Sequence, residues 1–351
     1  MIKTILIALD GSELAEQAIP IASAVAAEHA AEVVLATAVV QHDGWRERPV
    51  DREWEQKEQA AAAAYLGRLR RQLQKRGIKV RAVRVERGRP HVVIDAIAGE
   101  EGADLITMTT HGRSGFARWV MGSVADKVLQ TSRRPVLLVA AREGGQEGEV
   151  QLKRILVPLD GSPLAEEALP FVQELAQGLH ASLLLERVIL PTAALYPGEF
   201  VPSAGAVLNE MEVAASEYLK GVAKSIERQG ITVKTNVEIG YPAETILYAA
   251  KQAGADLIAL STHGRSGPAR WIMGSVADAV IRHSDRPCLV VPARGTRPSA
   301  KERESPVPAV LMAGTTVVPP PTLTETAADQ KPRRVRAPEE RPHRPERSPG
   351  R

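Results

Sequence analysis

The chain is written twice. The segment "KTILIALDGSELAEQAIPIA" from Lys3 returns as "KRILVPLDGSPLAEEALPFV" from Lys153, a shift of 150 residues. Further on, "THGRSGFARWVMGSVAD" from Thr110 returns as "THGRSGPARWIMGSVAD" from Thr262, a shift of 152. This second pair differs only at Phe116/Pro268 and Val120/Ile272. At 351 residues the chain is long enough for about two globular domains of ordinary size, and the repeat assigns one copy to each. Packing alone rarely keeps so many polar and glycine positions.

Each copy has the same coarse reading. An apolar strand (residues 2–9; 154–159) ends at Asp-Gly-Ser, and helical periodicity then runs through "ELAEQAIPIASAVAAEH" or "PLAEEALPFVQELAQGLH". A second strand (32–40; 182–190) and a loop lead to a long helix (51–76; 208–229) stopped by Gly77 or Gly230. The third strand (79–86; 232–238) precedes a short helix whose first turn accepts Pro90 or Pro242. The fourth strand, "ADLITMTT" or "ADLIALST", feeds the long repeated segment, with a helix beginning at Gly122-Ser123 or Gly274-Ser275. "RPVLLVA" and "RPCLVVP" close each copy as a fifth strand.

Alternating strands and helices, with strands that read as near-continuous apolar runs, predict a parallel sheet covered on both faces. Right-handed crossovers favour the doubly wound order 3-2-1-4-5. Strands one and four are then neighbours, and ligands bind outside their carboxyl ends. Asp10-Gly11-Ser12 and the segment from Thr109 to Ser123 converge there. Gly112 and Gly115 permit a turn with exposed N–H groups, and Gly122 admits a ligand close to the chain. A helix N-terminus and the Ser123 hydroxyl suit a phosphate. Asp10, and Asp160 in the second copy, would repel one unless they meet a sugar hydroxyl, an amine or a bridging Mg²⁺, so a nucleotide fits better than free phosphate. Glycine loops and Ser caps also join strands to helices with no ligand at all, and that reading stays open.

Each copy resembles a universal stress protein A domain along nearly its whole length, residues 3–140 and 153–293. The resemblance rests on "ILIALDGS" and "ILVPLDGS", on "GADLITMTTHGRSG" and "GADLIALSTHGRSG", and on "GSVADKVLQTSRRPVLLV" and "GSVADAVIRHSDRPCLVV". It implies two tandem flavodoxin-like α/β domains, each a five-stranded parallel sheet flanked by helices, a cytoplasmic location, paired domains and a role in stress tolerance. Some members bind ATP through Gly-x-x-Gly, nine residues, Gly-Ser/Thr, and others bind none. Carried onto this chain, the pattern falls on Gly112, Gly122 and Ser123, and on Gly264, Gly274 and Ser275. Its first glycine is replaced by Thr109 and Ser261, each adding a Cβ and a hydroxyl. Asp10 and Asp160 match the family aspartate, while Pro158 matches a frequent proline and Ala8 does not, so the second copy is slightly closer to the ATP pattern.

The implied nucleotide site of the first copy comprises Ala8, Leu9, Asp10, Val39, Val40, Met108, Thr109, His111, Gly112, Arg113, Gly115, Gly122, Ser123, Val124 and Ala125. That of the second comprises Pro158, Leu159, Asp160, Val188, Ile189, Leu260, Ser261, His263, Gly264, Arg265, Gly267, Gly274, Ser275, Val276 and Ala277. The expected ligand is ATP or another adenine nucleotide with Mg²⁺ and no protein-held metal. The expected role is a nucleotide-dependent stress regulator, the alternative a nucleotide-free scaffold or interaction protein. Slow ATP hydrolysis is the only reaction to name: there is no Gly-x-x-x-x-Gly-Lys run, no Gly-x-Gly-x-x-Gly after strand one, no nucleophile elbow and no metal-ligand histidine spacing.

Composition separates a body from a tail. Residues 294–351 hold 12 Lys/Arg against 7 Asp/Glu, so the formal +3 of the chain leaves −2 for the first 293 residues. A near-neutral body speaks against nucleic acid. No run reaches the roughly 20 apolar residues of a membrane span. The single cysteine, Cys288 in "RPCLVVP", fits a reducing compartment and a packed core. The expected organisation is domain 1 over 1–141, a connector over 142–151, domain 2 over 152–293 and a disordered Pro/Arg-rich tail over 294–351, which carries 11 of the 25 prolines. The fifth strands, "VLLVA" and "CLVVP", are expected to pair inside the chain, since each alone is an exposed edge, and a homodimer is left open.

Overall fold

Apolar pentapeptides too short to make a helix start both copies as strands: β1 (Thr4–Ala8), buried along its length, and β6 (Arg154–Pro158). The computed structural model describes residues 1–40, 49–111, 121–141, 150–191, 204–262 and 274–293. The connector residues 142–149 and the tail from 294 lie outside the described residues.

In the first repeat β1 is followed by α1 (Glu13–Glu16), α2 (Ala18–His29), β2 (Glu32–Val39), α3 (Pro49–Lys75), β3 (Val80–Arg87), α4 (Pro90–Glu100), β4 (Leu105–Thr109), α5 (Ser123–Thr131) and β5 (Val136–Val139). In the second, β6 is followed by α6 (Pro163–Glu166), α7 (Leu169–Leu179), β7 (Ser182–Ile189), α8 (Ala204–Glu227), β8 (Val233–Ile239), α9 (Pro242–Gln252), β9 (Leu257–Ser261), α10 (Ser275–His283) and β10 (Cys288–Val291). One expectation changes: the first helix of each repeat is broken after Glu16 or Glu166. Pro20 and Pro170 stand four residues later, where the ring crowds the carbonyl of the residue four back and offers it no N–H.

Strand order is β3-β2-β1-β4-β5-β10-β9-β6-β7-β8. Each half is the doubly wound 3-2-1-4-5 with parallel neighbours. The halves run on into one ten-stranded sheet rather than two of five, because β5 and β10 pair antiparallel with Cys288 opposite Leu138 and Val290 opposite Val136. Alternate residues serve opposite faces. Ile5 and Ile7 pack on a core that takes in Val25 of α2, Leu66 of α3 and Val172 of α7, and Leu6 and Ala8 pack on one with Ile94 of α4 and Val128 of α5. Cys288 is 2% exposed, and burial pushes its thiol up to about 12, so it is an inert core residue.

The start of β1 is tied to the start of β4 by Asp104, whose Oδ2 accepts from the amides of Lys3 (2.8 Å) and Thr4 (3.0 Å). Asp256 does the same for Lys153 and Arg154, at 2.9 Å each. The aspartate of "GADLI" therefore registers the central strands at the end of the sheet opposite the crevice. Asp104→Ala leaves two amides without this acceptor, and urea unfolding should show a loss of about 1–2 kcal/mol.

Candidate functional site

Parallel pairing of β1 with β4, Ile5 opposite Leu105 and Ile7 opposite Thr107, sets their carboxyl ends side by side. Beyond β1 the chain turns at once. Asp10 Oδ1 accepts from the Ser12 amide (2.9 Å) and hydroxyl (2.6 Å), Gly11 takes φ +87°, and Ser12 Oγ accepts from the Ala15 amide (3.1 Å) to cap α1. Asp160, Gly161 at φ +78° and Ser162 repeat the turn and the cap. Much of the retention of Asp-Gly-Ser is accounted for by this local geometry.

Beyond β4 the segment leaves from Thr110 and comes back to it: the Gly122 amide donates to the Thr110 carbonyl at 2.8 Å, as Gly274 does to Thr262 at 2.7 Å. The α5 helix then starts at Ser123, exposed, with no side chain capping it, and α10 starts likewise at Ser275. Their first N–H groups are donors without an intrahelical partner. Next to β1, a cleft of about 510 Å³ opens on the carboxyl end of β2, bordered by Asp10, Gly11, Thr37, Ala38, Val39 and Val40 from the sheet and by Glu58, Ala61, Ala62 and Tyr65 from α3.

The universal stress protein family model matches residues 1–140 and again 151–292. The chain belongs to the universal stress protein family. A universal stress protein of Methanocaldococcus jannaschii is 32% identical over 149 residues, 42% of this chain and 85% of that protein. One of Mycobacterium tuberculosis is 27% identical over 195 residues, 54% of this chain and 61% of that protein, so the match spans under two thirds of it. A solved universal stress protein from Archaeoglobus fulgidus shares the fold at a TM-score of 0.59 and 22% identity, covering 83% of this chain and 96% of that one.

Of the residues expected at a universal stress protein nucleotide site, the cleft brings together Asp10, Val39 and Val40. Gly122 and Ser123 stand at the start of α5, beyond β4, and Val124, half-buried, follows them. Ala8, Leu9, Met108, Ala125, Leu159, Ile189 and Leu260 are buried in the core, so their side chains are committed to packing. Pro158, Val188 and Ala277 are half-buried and Val276 is exposed. Gly112, Arg113, Gly115, His263, Gly264, Arg265 and Gly267 lie outside the described residues. Thr109, in place of the family glycine, is buried and donates its hydroxyl to the His111 carbonyl at 2.6 Å. Ser261 is also buried, at the end of β9 opposite Val291. The α3 wall was missed by sequence reasoning, although 58, 61, 62 and 65 fall on one helical face.

Ionisation narrows the chemistry. Burial holds the His111 imidazole below its ordinary value, and its Nδ1 lies 3.1 Å from Thr110 Oγ1, so at neutral pH it brings no positive charge to a phosphate. Among the described residues no three His, Cys, Asp or Glu side chains cluster to hold a metal ion. Gly122 is needed by the fold itself, since a Cβ there would stand 2.9 Å from the Thr110 carbonyl oxygen. Glu186, on β7, is 0% exposed and burial pushes its carboxyl up to about 7, against the opposing hydrogen bond that Asn236 donates at 3.0 Å.

Two outcomes follow from these environments. Gly122→Ala should lower the thermal stability of ligand-free protein, by about 1–3 kcal/mol, so a binding loss in any Gly122 variant has to be read against its fold. For Glu186 the folded pKa lies above the unfolded one, so its contribution is complete below the ordinary carboxylate range and is lost as pH rises through about 7. Urea titrations at pH 5 and pH 8 should show wild type losing on the order of 2 kcal/mol more than Glu186→Gln, which has no proton to give up.

Proposed function

We propose that the chain is a cytoplasmic stress regulator that binds an adenine nucleotide, ATP with Mg²⁺, in the crevice beyond β1 and β4 of one or both repeats, residues 1–141 and 152–293 forming the two units. One observation carries the reading: β1 and β4 are parallel neighbours, and the turn after β1 borders a cleft large enough for a base and ribose, while the segment after β4 returns to a side-chain-uncapped helix start with an exposed serine. Ligand pockets of about 300–1,000 Å³ are usual, and this one is about 510 Å³. The phosphates would meet the first amides of α5 and the Ser123 hydroxyl, while the base and ribose would lie between Val39, Val40 and the α3 wall with Asp10 toward the sugar. Mg²⁺ would arrive with the phosphates. No helix among the described residues is long and apolar enough to cross a membrane.

A nucleotide-free scaffold is the second reading, favoured by Thr109. Its hydroxyl is spent on the His111 carbonyl, and its side chain stands where the ATP-binding pattern leaves backbone open.

Calorimetric titration of Mg-ATP into the full chain, stripped of any copurified nucleotide, separates the two. Aspartate at the first helical position agrees with the helix dipole and keeps the fold, yet it sets a negative charge against phosphate. The double variant Ser123→Asp with Ser275→Asp should therefore bind at least about tenfold more weakly than wild type. Unchanged affinity would move the phosphates away from these helices, and folded wild type that binds nothing would leave the scaffold reading.

A further inference from the structure

The two crevices are not equivalent, and the difference traces to one strand position. Ala36 pairs with Ala8 in the first repeat, and Glu186 pairs with Pro158 in the second, so Thr37 and Arg187 are counterparts at the crevice end of β2 and β7. In the first repeat Thr37 turns its hydroxyl onto the Leu9 carbonyl and lines the floor of the open cleft. In the second, the Arg187 guanidinium lies over the turn glycine: a Cβ on Gly161 would stand 3.1 Å from Arg187 Cζ and Nη2, and closer still to Nη1. The same group sits 4.9 Å from the centre of the Tyr218 ring. Tyr218 is the counterpart of Tyr65, the cleft-wall tyrosine of α3, and each precedes a fully buried leucine, Leu219 or Leu66. The guanidinium thus spans from the Asp-Gly-Ser turn to the helix wall, the width that stands open in the first repeat.

A second substitution accounts for the exchange. Each tyrosine stands beside a carboxylate of the short first helix: Tyr218 donates to Glu166 at 2.7 Å, and burial, with the charge of Glu16 adding to it, raises the Tyr65 phenol above its ordinary value. Both pairs have a cation over the ring. In the first repeat it is Arg68, half-exposed on α3 itself, 5.4 Å from the Tyr65 centroid and 3.2 Å from Glu16. Its counterpart in α8, one turn past Tyr218, is Gly221. The second repeat supplies its cation from the sheet instead, through the crevice.

We propose that Arg187 closes the base side of the second crevice, so that the first repeat alone takes the adenine nucleotide. This rests on the nucleotide reading above and reverses the order expected from motif residues, by which the second copy was the closer match. The occluding residue lies on β7, outside every motif of the family pattern.

Equilibrium titration with Mg-ATP of full-length, nucleotide-stripped wild type, Arg187→Thr and Thr37→Arg tests it, with thermal melts to establish that each is folded. Wild type should bind a single nucleotide per chain, Arg187→Thr should bind two, and folded Thr37→Arg should bind none. Thr37 is buried, so that variant is the one at risk of misfolding, and the gain in Arg187→Thr decides the matter without it. Two nucleotides on wild type would overturn the asymmetry and leave the nucleotide reading standing. A single nucleotide on both wild type and Arg187→Thr, or a loss in Arg187→Thr, would overturn Arg187 as the closing group. Failure of folded wild type and Arg187→Thr to bind any nucleotide would remove the function proposed above, and this inference with it.

Discussion

The parallel pairing of β1 with β4 is the contact on which the rest of each repeat depends. In a doubly wound sheet the chain leaves the first strand toward one edge and comes back on the other side of it, so two turns remote in sequence end at the same place. Asp104 and Asp256 hold the starts of the two strands in step at the far end of the sheet. At the near end, Thr110 and Thr262 close the segments after β4 and β9 onto the starts of α5 and α10. A crevice with one wall of turn and one of helix N-terminus is what that pairing leaves.

Several motif residues turn out to serve the backbone first. Asp10, Gly11 and Ser12 build a turn and a helix cap, Gly122 makes room for the Thr110 carbonyl, and Thr109 holds the His111 carbonyl. None of this competes with a ligand role at Asp10 or Ser123, since the same turns that need such residues also present amides and oxygens at the sheet edge. It does change how substitutions there have to be interpreted. A glycine variant that abolishes binding reports on the loop as much as on the ligand.

The order of strands within each repeat, the helix starts at Gly122 and Gly274 and the position of Asp10 at the end of β1 were legible from hydrophobic period, glycine and the doubly wound pattern, whereas Val39 and Val40 entered only through the family resemblance. The break between α1 and α2 carried its own signal in Pro20, overridden by the amphipathic pattern around it. The α3 wall was harder to see, because Glu58, Ala61, Ala62 and Tyr65 form a face only once that helix is laid over β2. Glu186 reads in sequence as a charged residue within a largely apolar strand. Burial against the sheet is what moves its carboxyl toward neutral pH.

From the sequence alone come the two copies, their class of fold and the position of their turns, since hydrophobic period, proline and glycine act over a few residues wherever the chain is placed. Which crevice stands open was decided only in three dimensions. Thr37 and Arg187 differ by one substitution outside any motif, and so do Arg68 and Gly221, yet each repeat places an arginine over its tyrosine, Arg68 from the helix in the first and Arg187 from the strand in the second. The Arg187 guanidinium from β7 lies where the Tyr218 ring of α8 and the empty Cβ position of Gly161 meet, and that strand, helix and turn come together only in the fold.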